Sequence, residues 1–187
     1  MEKRQLGRSE IYITPIIMGT WQAGKSMWVG IEDAETVKAM RSAFEAGITT
    51  FDTAEVYGNG HSEQIVSQAL SDVRAEVIYA SKVFANHLKY DAVIEACDRS
   101  LKNLNTDYID LYQIHWPSGN WNTEIVPIAE TMSALNKLIV GARNAEQAAA
   151  NAKAAEVKLS EEDLKEIDAI GRTVTDHLDD NPVMWDF

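Results

Sequence analysis

Four apolar runs in this sequence each end on residues with chemistry to offer. "PIIMGTW" ends in Gly19, Thr20 and Trp21, and "ITTFDTAE" carries Asp52 with Tyr57 just beyond. "EVIYASKV" ends near Lys82, and "YIDLYQIHWP" reaches His115 and Trp116. If these runs are parallel strands, their C-terminal ends form one rim on which polar groups converge. Singly, each residue has a structural explanation: Asp52 capping a loop, Tyr57 half-buried, Lys82 snorkelling, His115 a satisfied buried histidine. Together they suggest proton donation to a carbonyl. A tyrosine hydroxyl, with a pKa of about 10, donates poorly at neutral pH unless a neighbour stabilises the phenolate. A Lys82 ammonium would do that, and Asp52 would hold the ammonium charged and in place. His115 would hydrogen-bond the carbonyl oxygen and orient it. None of the four supplies a hydride, so redox chemistry here requires a cofactor.

A second segment, "GARNAEQ", offers an anion site. Gly141 allows close backbone approach. Asn144 is a good N-cap with Gln147 at the capping-box position, so helix amides point outward, and Arg143 adds a planar fork suited to phosphate. The alternative is a capped helix with a surface arginine. The G-x-G-x-x-G fingerprint is absent, so a dinucleotide would be held in another way.

The elements that must position these groups follow a rhythm. "QLGRSEIYI" reads as a turn between two short strands. Strands then alternate with the helices "EDAETVKAMRSAFEAG", "SEQIVSQAL", "YDAVIEACDRSLKNLN", "PIAETMSALNKL" and "AEQAAANAKAAEV". Asp33 is the expected N-cap of the first and Gly47 its stop; Pro127 opens the fourth. A last helix begins at Ser160, with Asp163 in a capping-box position. Apolar strands alternating with helices predict a parallel sheet covered by helices. Five such units suit an open doubly wound sheet, whereas a closed (β/α) barrel needs eight and about 250 residues.

Composition narrows the partners. The chain has 187 residues and a formal net charge of −12, which argues against nucleic acid or an anionic membrane. Cys97 is the only cysteine, so there is neither an intrachain disulfide nor a Cys-based zinc site, and no metal is expected. Its apolar neighbours at helical spacing make it a buried small residue. "MEKRQLGRSE" lacks a signal-peptide core and no run spans a bilayer, so a soluble cytoplasmic protein is expected.

"FDTAEVYGNGHSE", "YASKV", "LNTDYIDLYQIHWP" and "IVGARNAEQAAAN" together resemble the successive signatures of the aldo-keto reductase family. The resemblance implies an eight-stranded (β/α) barrel that binds NADPH in extended form and reduces small aldehydes or ketones to alcohols. On the matching positions it makes Tyr57 the general acid, tuned by Lys82 and Asp52, with His115 orienting the carbonyl. It counts Gly19, Thr20, Trp21 and Asp52 among the cofactor-binding residues, with Trp21 near the nicotinamide and substrate. Gly141, Ala142, Arg143, Gln147 and Asn151 match contacts to the adenosine 2′-phosphate end. Trp21, Trp28 and Trp116 would wall the substrate pocket.

The resemblance has one break. In "SALNKLIVGARN" a helix runs into a strand at Leu138–Ile139 without a turn. Residues 1–138 resemble units one to four of the barrel; residues 139–187 resemble unit eight and the C-terminal helix. The expected fold is therefore a single domain over 1–187, a TIM-barrel-family α/β structure. It is an incomplete barrel of about five β/α units, with an N-terminal hairpin and a C-terminal helix. The units between, which in the family hold the nicotinamide carboxamide and cover the pyrophosphate, are missing. Sheet edges left open would favour instability or self-association. The implied reduction would then be impaired. The alternatives are a non-catalytic nucleotide-binding or assembly subunit and an inactive deletion product.

Overall fold

A computed structural model of the chain describes residues 1–138 together with Ser160, Lys165 and Ala169. The expected fifth unit from Ile139, with Gly141, Ala142, Arg143, Gln147 and Asn151, and the final "DDNPVMWDF" lie outside the described residues. Lys165 and Ala169 are helical, as expected of the helix after Ser160.

The N-terminal piece folds as anticipated: β1 (Arg4–Gln5) pairs antiparallel with β2 (Tyr12–Ile13). Four β/α units follow. These are β3 (Met18–Gly19) with α1 (Asp33–Glu45), β4 (Thr50–Asp52) with α2 (His61–Leu70), β5 (Ile78–Val83) with α3 (Tyr90–Leu104), and β6 (Leu111–Ile114) with α4 (Ile128–Lys137). The sheet is parallel and its order, β3-β4-β5-β6, follows the chain. That order decides between the two architectures five units allow. A doubly wound sheet reverses direction at a switch point. Right-handed crossovers stepping always the same way put every helix on one face, which is the winding of a barrel. Among the described residues, the chain forms four consecutive units of one.

Strand side chains alternate between the two faces. Phe51 and Tyr79 point outward and are fully buried with Met40 of α1, Ile65, Val66 and Leu70 of α2, and Cys97 and Leu104 of α3. Burying each large side chain contributes roughly 1.5–3 kcal/mol. Cys97 is buried, as its spacing suggested. A second cluster joins Val83, Val93, Ala96, Val126 and Ala134 beneath α3 and α4. At the N-terminal strand ends, Arg74 lies 4.1 Å from the Tyr79 ring centroid and 3.8 Å from that of Tyr108, and donates to Asp110 at 2.8 Å. The sheet is thus anchored at the end away from the rim.

One cap differs from expectation. The N-cap of α1 is Glu32, not Asp33. Asp33 instead accepts from Lys25 and His61, each at 2.9 Å, and these two donors hold its carboxyl below the ordinary range. A carboxylate with two charged or polarisable donors gains more from them than from helix amides. Pro127 occupies the N-cap of α4, where its missing N–H is not needed, and α4 ends with Leu138 as C-cap.

Candidate active site

The register of the sheet sets the site. Gly19 pairs with Asp52 and Asp52 with Ala80; Lys82 lies two residues further along β5, opposite Gln113. Asp52 and Lys82 therefore reach the rim on the face away from the helices. Lys82 Nζ donates to Asp52 Oδ2 at 2.7 Å and to the Thr53 carbonyl at 2.7 Å. The lysine side chain is 13% exposed and the aspartate 30%, so water screens the pair only in part. The ammonium is held as the sequence anticipated.

Tyr57 is positioned by backbone packing. After β3 the chain turns through Trp21–Gly24 in a short 3-10 helix. A Cβ on Gly24 would lie 2.6 Å from the Tyr57 carbonyl carbon and 2.7 Å from the Gly58 nitrogen. The two loops touch main chain to main chain, and Gly58 turns away with φ +64°. Ser62 fastens them: its hydroxyl donates to the Thr20 carbonyl at 2.7 Å and receives Thr53 Oγ1 at 3.0 Å. Thr20 is buried, with its N–H and hydroxyl both on the Asp52 carbonyl. Its polar groups are thus engaged within the protein and shape the rim. Beside Gly19, by contrast, a Cβ would meet nothing within 4 Å, so the end of β3 faces open space.

Tyr57 Oη lies 3.5 Å from His115 Nε2, with the rings edge to face at 5.4 Å. Lys82 Nζ is 5.1 Å from the Tyr57 ring centroid. Burial, seconded by the Asp52 charge, pushes the Tyr57 hydroxyl up to about 12. The expected lowering by Lys82 is not what this geometry produces: the ammonium's charge is spent on Asp52, and Tyr57 feels the carboxylate. Burial and then Lys82 lower His115 to about 4, so its ring is neutral at pH 7. Its Nδ1 is buried without a hydrogen-bond partner.

Aromatic rings surround this pair. Trp21 lies 6.3 Å from Tyr57, and Trp28 meets Trp21 edge-on at 5.3 Å. Trp116 flanks His115 at 6.3 Å. The three tryptophans singled out in the sequence are thus linked ring to ring through Tyr57 and His115. Two further rings join them: Phe84, 5.7 Å from His115, and Trp121, 5.9 Å from Phe84 and 6.0 Å from Trp116. Phe84 was legible in principle, two residues past Lys82 on the same strand end. Trp121 sits in a loop with Asn120 and Asn122, and nothing in its spacing points it at the rim. Among the described residues no group of three or more His, Cys, Asp or Glu side chains suits a metal, and no helix is long and apolar enough to cross a membrane.

A parallel sheet wound in one direction, with its polar groups on the C-terminal strand ends, defines the class of β/α-barrel proteins. The family model of the aldo/keto reductase family matches residues 15–140, and the chain belongs to that family. Aldo-keto reductase YhdN of Bacillus subtilis is 37% identical over 148 residues, covering 74% of this chain and 43% of its own length. Methylglyoxal reductase YeaE of Escherichia coli is 38% identical over 130 residues, covering 70% of this chain and 43% of its own. A crystal structure of an aldo-keto reductase from Klebsiella pneumoniae in complex with NADPH superposes with a TM-score of 0.60. It is 35% identical and covers 68% of this chain and 42% of that one. The chain spans less than half the length of the curated relatives it matches.

Proposed function

We propose that this rim reduces small aldehydes or ketones to alcohols with NADPH, Tyr57 giving the proton. The carrying observation is the constellation itself: Tyr57 Oη 3.5 Å from His115 Nε2, with the Lys82–Asp52 pair at 2.7 Å beside the tyrosine ring. The described residues suit the nicotinamide end of the cofactor, which would lie in the open space beside Gly19, against Trp21 and near Asp52. When bound, NADPH supplies the hydride. The chain's own residues do the rest. Neutral His115, in its Nε2–H form, donates to the carbonyl oxygen without bringing a charge that would compete for it. Tyr57 keeps its proton at neutral pH and releases it only to a strong base, the alkoxide oxygen that forms as the carbonyl is reduced. Lys82 then stabilises the phenolate, a role it can play in that state although Asp52 dominates beforehand. Trp21, Trp28 and Trp116 exclude water around the reacting carbon.

The adenosine 2′-phosphate contacts are assigned by resemblance to Gly141, Ala142, Arg143, Gln147 and Asn151. Leu138–Ile139 is read as a join between the fourth barrel unit and the last, within one domain over 1–187. On this reading, contacts to the middle of the cofactor are lost, so NADPH binding is weak and turnover slow, because positioning carries much of the rate. The open edges also favour self-association. The family match stops at residue 140, two residues past the junction, which supports a break in continuity there. Titrating NADPH against tryptophan fluorescence, with turnover of methylglyoxal and of an aryl aldehyde, tests the proposal. Saturable binding and turnover abolished by Tyr57→Phe are expected. No binding at any concentration would leave the assembly-subunit reading; tight binding with rapid turnover would refute the impairment.

A further inference from the structure

Glu55 ties the Tyr57 loop to the strand end that carries Lys82 in a way the reaction itself does not require. It sits two residues before Tyr57, on the β4–α2 loop, and its carboxylate is only 9% exposed. Oε1 accepts the Phe84 N–H at 2.8 Å and His87 Nδ1 at 3.0 Å, and Oε2 accepts the Arg99 guanidinium at 3.2 Å. Phe84 is two residues past Lys82, His87 ends the short 3-10 turn Ala85–His87, and Arg99 is on α3. One carboxylate thus joins the Tyr57 loop to the strand end of Lys82 and to the helix behind it.

The backbone explains why a side chain is needed there. The β4–β5 ladder is tight at Thr53 N to Ala80 O, 2.8 Å, but the next bond, Glu55 N to Lys82 O, is stretched to 3.4 Å. Pairing fails just where Tyr57 and Lys82 must be held in register, and the Glu55 carboxylate takes over. Phe84, fixed by that carboxylate, packs edge-on against His115 at 5.7 Å. His87 bridges outward from the carboxylate: Nδ1 lies 3.0 Å from Glu55 Oε1 and Nε2 lies 3.2 Å from Asn86 Nδ2. Arg99 Nη2 lies 3.3 Å from His87 Nδ1 and donates to Glu55 Oε2 at 3.2 Å, so the three side chains form one cluster.

We propose that Glu55, clamped by His87 and Arg99, is the positioning residue that holds Tyr57, Lys82 and His115 in mutual register. It touches neither substrate nor cofactor. The role rests on the proposed chemistry, so the test carries one readout that does not need turnover. In Glu55→Gln the tyrosine–histidine and Phe84–His115 ring-proton NOEs should weaken. kcat should fall by about tenfold or more with KM for NADPH unchanged, since misplacing reacting groups costs rate rather than binding. Glu63→Gln is the control. That carboxyl is fully buried on Ser81 and Asn103 in the helical layer, and its substitution should leave both NOEs and kcat in place. Should Glu55→Gln fail to fold, Arg99→Met and His87→Gln remove the clamp from the other side and should weaken the same NOEs. Unaltered NOEs in every folded variant of the clamp would overturn the proposal. An inactive wild type would count against the reductase reading and leave the NOE comparison to decide on Glu55.

Discussion

Replacing Gly24 with alanine tests whether main-chain contact between two loops sets the position of Tyr57. Its Cβ would stand 2.6 Å from the Tyr57 carbonyl carbon, 2.7 Å from Gly58 N and 2.9 Å from Tyr57 O. All three obstacles are backbone, so no rotamer change relieves them. Ordinary contact begins at 3.4 Å, so the Tyr57 loop must retreat by roughly 0.8 Å. The Tyr57–His115 approach, at 3.5 Å, already sits at the outer limit of a hydrogen bond, so it has no slack to absorb that displacement. Overpacking of this kind costs about 1–3 kcal/mol, which for a chain of this size lowers the melting temperature by roughly 2–4 °C per kcal/mol. If the rim is a reductase site, the same shift lowers kcat by as much as about a hundredfold. Calorimetry and the Tyr57–His115 ring NOE measure the two effects separately. A Gly24→Ala protein with wild-type melting temperature and an undiminished NOE would refute the argument, because the loops would then have room the geometry denies them.

Gly19→Ala supplies the opposite case: with nothing within 4 Å of the new methyl, melting should stay unchanged while NADPH binding, read by tryptophan fluorescence, weakens. Lys82→Met leaves Asp52 without its partner, and urea unfolding should show a loss of about 1–3 kcal/mol, less than for a fully buried pair because water reaches the aspartate. The pH dependence of stability follows from His115, whose pKa falls from 6.5 unfolded to about 4 folded. Between those values the unfolded chain binds the extra proton, so this histidine makes stability fall as pH drops from about 6.5 to 4. Glu63, raised by burial, acts with the opposite sign, its contribution being lost as pH rises above 4.5 through its folded value. Comparing urea midpoints of wild type and His115→Gln across this range isolates the histidine; parallel curves would show that it is not held neutral.

The strand-end residues were legible because a parallel β/α chain presents the same end of every strand to one rim. That logic located Asp52, Lys82 and His115 without knowledge of register, and Tyr57 because it follows Asp52 closely. The sign of the Tyr57 shift was not legible. It is set first by burial of the hydroxyl and then by the Asp52 charge, while Lys82 is engaged with Asp52 and the Thr53 carbonyl. Sequence spacing contains no distance from an ammonium to a phenol. Nor did five counted units reveal barrel winding, since strand order is a property of crossovers and not of periodicity. Asp33 misled for a related reason: it has the type and place of an N-cap, but Lys25 and His61 reach it from segments a local reading does not connect.

On the proposed reading, the proton-handling groups and the cofactor-handling groups depend on different lengths of chain. Among the described residues, the interactions that hold the first set join neighbouring strand ends: Asp52 on Lys82, Gly24 against Tyr57, Ser62 on Thr20, Glu55 on Phe84. Each crosses only from one strand end to the next and so does not itself require the units further along the sheet. A dinucleotide bound in extended form is different, because its contacts must be spread around the rim. An alteration after the fourth unit would therefore remove cofactor grip while leaving the Tyr57 environment whole. Raising NADPH concentration should recover turnover in proportion to occupancy, with kcat at saturation sensitive to Gly24→Ala and Glu55→Gln. If saturating cofactor restored nothing although binding was complete, the two halves would not be separable, and the proton-handling groups would depend on the rest of the barrel after all.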